Sequence, residues 1–377
     1  MCSNKKRNVL IDGSRLMIEA MVQAGANVFV GYPITPANLL YAYASQRFPT
    51  FMPAPDEISS LQWATGFAAA GKIPVTATSF PGYALMVEPI NMAYMMEMPI
   101  VIIMAQRLGP STGSATTGAE GDLLLLRGSI SGGYPIPVLC PSDFKDCWDL
   151  AFQSVSVAVK LRMPVVLLTS KEMVMTARSF DLSRLSSMTP VRWNLYEGDE
   201  EYRPYLSGAD MVPPFLPAGN ERHQVRINAS THDTLGLIRK ATPEAIANTT
   251  RLKEKVEKRI QEYTFYHYDH EEGAEIVIVT YGVTADAARD AVKSIRAEGE
   301  RISLLILKTL IPVPPVIFDI LDRYRMIVFA EENLPGLLQE IMFGQSRSRR
   351  IRNVSKIAFM ITPSEIVRGV EECRKAS

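Results

Sequence analysis

Short, continuously apolar runs of four or five residues recur between stretches of helical periodicity, and this alternation limits the chain to a narrow set of folds. An unbroken apolar run reads as a strand buried on both faces, and its alternation with helices implies an α/β layer structure around a largely parallel sheet. From about Val9 to Ser170 the strand candidates are Asn27-Val28-Phe29-Val30, Val75-Thr76-Ala77-Thr78, Ile100-Val101-Ile102-Ile103-Met104 and Val165-Val166-Leu167-Leu168. Ser14 can cap a helix running to Ala24, Asp56 can open one carrying Leu61, Ala64 and Phe67 on one face, and Met92 to Met98 reads as the end of a buried helix.

The alternation lapses from about Phe180 to Glu272, where Pro204, Pro213, Pro214 and Pro217 break any period. This stretch reads as an excursion packed around a domain. Within it, Pro243 to Tyr263 predicts a helix, because Glu254, Lys255, Lys258 and Arg259 alternate with Leu252, Val256 and Ile260; a surface helix or coiled arm fits. Strand runs resume at Ile276-Val277-Ile278-Val279, Ser303-Leu304-Leu305-Ile306, Met326-Ile327-Val328-Phe329 and Lys356-Ile357-Ala358-Phe359, with helices from Thr284, Pro314, Leu334 and Pro363. The expected organisation is a doubly wound domain over 1–180, a connecting excursion over 181–272 and a smaller α/β domain over 273–377.

Forty Lys+Arg balance forty Asp+Glu, so the overall charge points to neither nucleic acid nor a membrane surface as a partner. Cys2, Cys140, Cys147 and Cys373 lack the clustered spacing of a metal or iron–sulfur site and read as reduced thiols. The basic start reaches Asp12 before an apolar signal core forms, and no apolar run is long enough to cross a bilayer; a cytoplasmic location is the expectation.

Three segments carry candidate chemistry. Gly31-Tyr32-Pro33-Ile34-Thr35-Pro36 follows a strand, and its prolines hold Thr35 at the edge where open α/β sheets place ligands; a rigid turn with a capping threonine is the plainer reading. Pro55-Asp56-Glu57 leads into a helix, where either carboxylate can oppose the helix dipole, or Glu57 can hydrogen-bond a ring nitrogen of a cofactor. The third begins at Thr78-Ser79-Phe80-Pro81-Gly82-Tyr83 and continues through Gln106-Arg107-Leu108-Gly109-Pro110-Ser111-Thr112-Gly113 to Thr116 and Asp122, concentrating hydroxyls and glycines past two strand ends. Arg107 can present a fork to a carboxylate, or bridge internally to Glu57, Asp122 or Glu120.

Together, Tyr32-Pro33-Ile34-Thr35-Pro36, Asp56-Glu57, Thr78-Ser79 with Pro81-Gly82, and Gln106-Arg107 with Gly109-Pro110-Ser111-Thr112-Gly113 resemble the α subunit of 2-oxoacid:ferredoxin oxidoreductases. The likeness continues at Thr231-His232-Asp233, at Leu305 to Leu310 with Pro312, and at Glu331-Glu332-Asn333, a triplet typical of subunits acting on 2-oxoglutarate and related acids. The resemblance implies a pyrimidine-binding thiamine diphosphate domain followed by a transketolase C-terminal-like domain. By resemblance, Glu57 would hydrogen-bond the aminopyrimidine of thiamine diphosphate, with Thr78, Ser79, Pro81 and Gly82 around the cofactor. Arg107 would bind the substrate carboxylate, with Thr35 and Thr116 hydrogen-bonding the carboxylate or 2-oxo group. The implied reaction is oxidative decarboxylation of a 2-oxoacid, 2-oxoglutarate favoured, to acyl-coenzyme A and carbon dioxide, with electrons passed to ferredoxin.

The chain holds no Gly-Asp-Gly followed by asparagine for Mg2+ and the diphosphate, and no cysteine array. The resemblance therefore implies a β subunit bearing the diphosphate and Mg2+ site and a [4Fe-4S] cluster, with γ and ferredoxin-like δ subunits as further candidates, and coenzyme A as co-substrate. Two departures from the family pattern bear on substrate choice: Phe80 stands where glycine is usual, and Ser131 and Gly133 replace a histidine and a glutamate before Tyr134-Pro135. A thiamine enzyme component that does not use ferredoxin, and an inactive assembly partner, are the rival readings. Cysteine clusters in the partner would separate the first, and failure of the complex to bind thiamine diphosphate would support the second. His267-Tyr268-Asp269-His270 reads as a solvated linker rather than a metal site, and Arg347, Arg349, Arg350 and Arg352 as a solvated turn.

Overall fold

The computed structural model describes residues 7–345 and 348–375; Cys2, the basic run up to Lys6 and Arg347 lie outside the described residues. In chain order the first half comprises β1 (Asn8–Ile11), α1 (Gly13–Gln23), β2 (Val28–Gly31), α2 (Asn38–Arg47), β3 (Thr50–Pro53), α3 (Glu57–Ala69), β4 (Pro74–Thr78), α4 (Phe80–Met95) and β5 (Ile100–Gln106), then α5 (Leu123–Gly128), β6 (Val138–Leu139), α6 (Phe144–Leu161), β7 (Pro164–Ser170), α7 (Lys171–Met175) and β8 (Arg178–Asp181). After the excursion come α8 (Pro243–Lys258), β9 (Tyr266–Asp269), β10 (Ile276–Tyr281), α9 (Thr284–Ala297), β11 (Ser303–Leu307), β12 (Thr309–Ile311), α10 (Pro315–Leu321), β13 (Met326–Glu331), α11 (Leu337–Phe343), β14 (Ile351–Ser355) and α12 (Pro363–Lys375).

The larger sheet has seven strands in the order β12-β6-β7-β5-β4-β2-β3, parallel except for β12. Every residue of β4, β5 and β7 is buried, as their unbroken apolar runs predict for strands covered by helices on both faces. The smaller sheet runs β14-β13-β10-β11-β9 and is parallel except for β9. The two halves interlock: β12, which follows β11 of the smaller sheet, pairs antiparallel with β6 and closes one edge of the larger sheet.

Several local expectations need correction. Asp12, not Ser14, caps α1: its carboxylate accepts the N–H of Arg15, while the buried Ser14 hydroxyl donates to the Val174 carbonyl at 2.7 Å. The helix α8 lies at the surface with one face exposed, but its inner face is not purely apolar. Its Lys255 is fully buried and pairs with the fully buried Glu97 at 2.7 Å, and Arg251 pairs with the same carboxylate. Glu254 and Lys258 are solvated as the pattern suggests, but Lys255 is not, because its partner lies more than 150 residues away. Burial would raise Glu97, but Lys255 and Arg251 hold it well below the usual carboxylate range.

The last strand is Ile351–Ser355, not Lys356–Phe359. Ala358 is left-handed (φ 67°), so that segment turns and leaves Phe359 74% exposed. Of the arginine cluster, Arg349 and Arg350 lie in a turn as expected, with Arg350 donating to the Leu321 carbonyl, whereas Arg352 lies in the edge strand β14. Nor is His267–His270 a linker: it forms β9 and its end, where Asp269 pairs with Arg296 at 3.0 Å and the Tyr268 hydroxyl bonds both Tyr324 and His270. The proline-rich excursion packs on the first half, where Arg162 donates to the carbonyls of Pro204, Pro213 and Pro214 and Trp193 stacks on Phe215.

Candidate active site

Four neighbouring parallel strands, in the order β5-β4-β2-β3, finish on one edge of the larger sheet. Each is followed there by one of the segments singled out in the sequence. Open α/β sheets bind ligands beyond the carboxyl ends of their strands, where loops and helix N-termini leave backbone groups free.

Glu57 is the first residue of α3, set there by Asp56, whose carboxylate caps the helix by accepting the Ser59 N–H at 2.7 Å. The Glu57 side chain is directed inward and only 6% of the residue is exposed. It packs against Gly82 in the first turn of α4. A Cβ at position 82 would lie 2.6 Å from Glu57 Oε1 and 2.1 Å from Thr78 Oγ1, so glycine alone permits this approach. The end of β4, the start of α3 and the start of α4 thus converge on one carboxylate. Ser79 caps α4 by position only, since its buried hydroxyl has no partner, and Pro81 occupies the first turn of that helix, where its missing N–H costs nothing.

Arg107 directly follows β5 and is 6% exposed. Its Nη1 donates to the Thr35 carbonyl at 2.5 Å, which joins the loop after β2 to the end of β5. Its Nε has no partner, and among the described residues it forms no ion pair within 4 Å. Asp122 faces it electrostatically: burial pushes the Asp122 carboxyl up to about 7, opposed by the Arg107 charge, and one of its oxygens is also unpartnered. Burial likewise lowers Arg107, against the pull of Asp122.

A cavity of about 340 Å³ opens beside these groups, with Phe80, Arg107, Pro110, Asp122, Asn333 and Leu334 among its walls. The structure thus brings Arg107, Thr35 and the Glu57–Thr78–Gly82 cluster to one edge, with Thr35 contributing its carbonyl to Arg107. It does not bring Thr116 in: that residue is exposed on the loop and does not line the cavity. Sequence reasoning missed that the smaller sheet supplies a wall. The triplet Glu331-Glu332-Asn333 was the available signal, since three polar residues closing a buried strand have to meet polar partners.

The family model described as pyruvate flavodoxin/ferredoxin oxidoreductase, thiamine-diphosphate-binding, matches residues 19–258, and that of pyruvate:ferredoxin oxidoreductase core domain II matches residues 274–362. The 2-oxoglutarate synthase subunit KorA of Methanocaldococcus jannaschii is 28% identical over 96% of this chain and 98% of its own length. The ketoisovalerate oxidoreductase subunit VorB of Methanothermobacter thermautotrophicus is 31% identical over 90% of this chain and 87% of its own. A solved 2-oxoglutarate:ferredoxin oxidoreductase from Magnetococcus marinus, with 2-oxoglutarate, coenzyme A and succinyl-coenzyme A bound, superposes with a TM-score of 0.91 at 26% identity. The match covers 97% of this chain and 65% of that one. Its glycine-tight carboxylate, its arginine at the neighbouring strand end and these matches agree, and the chain belongs to the pyruvate flavodoxin/ferredoxin oxidoreductase family.

Proposed function

We propose that this chain is the α subunit of a cytoplasmic 2-oxoacid:ferredoxin oxidoreductase that converts a 2-oxoacid, 2-oxoglutarate favoured, and coenzyme A to acyl-coenzyme A and carbon dioxide. The observation that carries the reading is the buried Glu57 carboxylate, held against Gly82 and set at the same sheet edge as Arg107. That arrangement fits the aminopyrimidine half of thiamine diphosphate: an enclosed carboxyl group can share a proton with a ring nitrogen, donating it in a hydrogen bond, and the unpartnered Ser79 hydroxyl is a further polar group beside it. When bound, the cofactor supplies the nucleophilic carbon and the electron sink for decarboxylation.

The chain's own residues have separable tasks. Glu57 would hold the pyrimidine of a bound cofactor through a hydrogen bond to a ring nitrogen and would give and take the proton there. Arg107, steadied by the Thr35 carbonyl, keeps its remaining guanidinium N–H groups for the carboxylate that every 2-oxoacid carries. Thr78, Pro81 and Gly82 would shape the wall beside such a ring. The Mg2+ and diphosphate site and a [4Fe-4S] cluster are assigned to a β subunit, since no sequence motif for them is present in this chain. The preference for 2-oxoglutarate is supported by relatives named 2-oxoglutarate synthase and by the bound 2-oxoglutarate of the solved relative.

The test is to purify the chain with whatever subunit accompanies it and to follow viologen dye reduction with coenzyme A and 2-oxoglutarate, pyruvate or 2-oxoisovalerate. Dye reduction that depends on the 2-oxoacid, fastest with 2-oxoglutarate, is expected. A complex that holds stoichiometric thiamine diphosphate yet turns over none of the three acids would overturn the proposal.

A further inference from the structure

Glu120 has no part in the chemistry above, yet it is 1% exposed and sits on the seam between the two halves of the molecule. Its carboxylate oxygens accept the Val283 N–H at 3.1 Å and the Thr284 hydroxyl at 3.4 Å, at the start of α9. Its carbonyl accepts the Tyr281 hydroxyl at 3.1 Å and Asn333 Nδ2 at 3.2 Å, and its own N–H donates to the Glu332 carbonyl at 2.9 Å. All five partners belong to the second half of the chain. The fit is close: a Cβ on Gly282, whose φ is 58°, would lie 1.8 Å from Glu120 Oε1.

Glu120 lies on the loop that leaves β5 at Gln106 and returns at Asp122, where the Asp122 N–H donates to Gln106 Oε1 at 3.2 Å. Arg107 opens this loop and Asp122 closes it; Ala119, Gly121 and Asp122 line the cavity in front of Arg107. Asn333 is itself fixed, donating to Glu331 and accepting the N–H groups of Gly336 and Leu337. A rigid strand end therefore grips the returning limb of a loop that is otherwise braced by its own turns.

We propose that Glu120 is a positioning residue for the substrate cavity, latching the limb from Ala119 to Asp122 onto the ends of β10 and β13 so that the space before Arg107 keeps its shape. This rests on the reading of that cavity as the 2-oxoacid site. Burial and the neighbouring Glu332 and Glu331 push the Glu120 carboxyl well above its ordinary range, and glutamine is a near match in shape, keeping an oxygen to accept the Val283 N–H and an amide that the Thr284 hydroxyl can meet. Loosening the limb lowers the fraction of molecules whose cavity is competent, which weakens binding without touching the reacting groups.

The experiment uses the complex of this chain with its companion subunit, with 2-oxoglutarate, pyruvate and 2-oxoisovalerate as probes and viologen reduction as readout. Glu120→Ala is expected to raise KM for each accepted acid about ten-fold or more while kcat changes less than about three-fold, and Glu120→Gln to stay within about two-fold of the parent. Tyr281→Phe, outside the cavity, removes one of the five bonds and should move KM the same way by less, which keeps the test open if the alanine variant fails to assemble. Amide hydrogen exchange supplies a readout independent of turnover: Glu120→Ala, or Tyr281→Phe more weakly, should speed exchange over 115–122 and leave α6 protected. Faster exchange with no turnover of any acid by the parent complex would sustain the latch and reject the site reading it rests on. A lowered Tm with KM and exchange unchanged, or a glutamine variant as impaired as the alanine one, would overturn the proposal.

Discussion

Gly82→Ala is a one-methyl perturbation whose consequence can be worked from distances. The new Cβ would fall 2.6 Å from both Cγ and Oε1 of Glu57 and 2.1 Å from Thr78 Oγ1, whereas ordinary contact begins near 3.4 Å. Relief requires the Glu57 carboxylate to retreat by about 0.8 Å and the Thr78 hydroxyl by about 1.3 Å, or an equivalent shift of the start of α4. Overpacking of this kind costs about 1–3 kcal/mol of stability, a loss that a folded complex can survive. Misplacing a reacting group by about 1 Å costs about 100-fold in rate, so turnover should fall far more than stability does. Gly66→Ala is the matched control, since nothing lies within 4 Å of its added Cβ in the middle of α3; it should gain about 0.5–1 kcal/mol and keep full activity. The assay is kcat for viologen reduction by the assembled complex beside its melting temperature. A Gly82→Ala complex with near-parental kcat would refute the placement of Glu57, and so would a loss of activity wholly explained by unfolding.

Glu57→Gln should leave folding and assembly intact and remove most turnover with every 2-oxoacid, because an amide does not exchange the proton; near-parental rates would move the role to Asp56. Arg107→Ala should lower kcat/KM for all accepted acids together by tens to thousands of fold, corresponding to about 2–5 kcal/mol, with Arg107→Lys recovering part; a lowered Tm with unchanged kcat/KM would make Arg107 structural. Asp122, raised by burial to about 7 against an ordinary value of 3.8, holds its proton more tightly when folded, so its contribution to stability is complete below about pH 4 and is lost as pH rises through 7. Asp122→Asn should therefore reduce the fall in denaturant stability between pH 5 and 8, leaving the part due to Glu332, Glu331 and Glu120, which are raised the same way; an unchanged slope would contradict this. Glu97→Ala should cost about 3–5 kcal/mol in a denaturant melt, since it strands Lys255 and Arg251 in the interior, while activity per folded molecule persists.

The sequence was most legible where local rules suffice. Strands such as Ile100–Gln106 and Ile276–Tyr281 are apolar on both faces, and the segment that follows the first carries glycine and hydroxyl residues with little apolar content, so strand end and candidate site coincide there in one dimension. It was least legible where a distant partner decides. Nothing near Lys255 announces Glu97, and nothing near Thr309 announces that β12 leaves its own sheet to pair with Leu139. Lys356–Phe359 misled for the opposite reason: its composition suits a strand, but Ala358 adopts a left-handed backbone there and the preceding Ile351–Ser355, rich in polar residues, pairs with β13 instead. Thr35 follows β2 at the sheet edge, yet it is its carbonyl, which composition cannot reveal, that makes the contact with Arg107.

Buried polar groups differ in how fully they are paired, and the contrast between the Glu97 cluster and the ends of β4 and β5 bears on the site. Glu97, with Lys255 and Arg251, is closed: each charge meets its opposite, and the arrangement fastens α8 to the end of α4. Glu331 is closed as well, its oxygens taken by Leu338 N–H, Gln339 N–H and Asn333. By contrast Ser79 Oγ, Gln106 Nε2, Arg107 Nε and Asp122 Oδ2 all lack partners, and all lie just past the ends of β4 and β5 or where the intervening loop returns to them. A buried polar atom without a partner is costly, and four of the eleven such side-chain atoms among the described residues gather at this one edge, a concentrated local penalty. That concentration coincides with Glu57, Gly82 and the cavity in front of Arg107, which is where a ligand bearing a carboxylate and ring nitrogens would satisfy them.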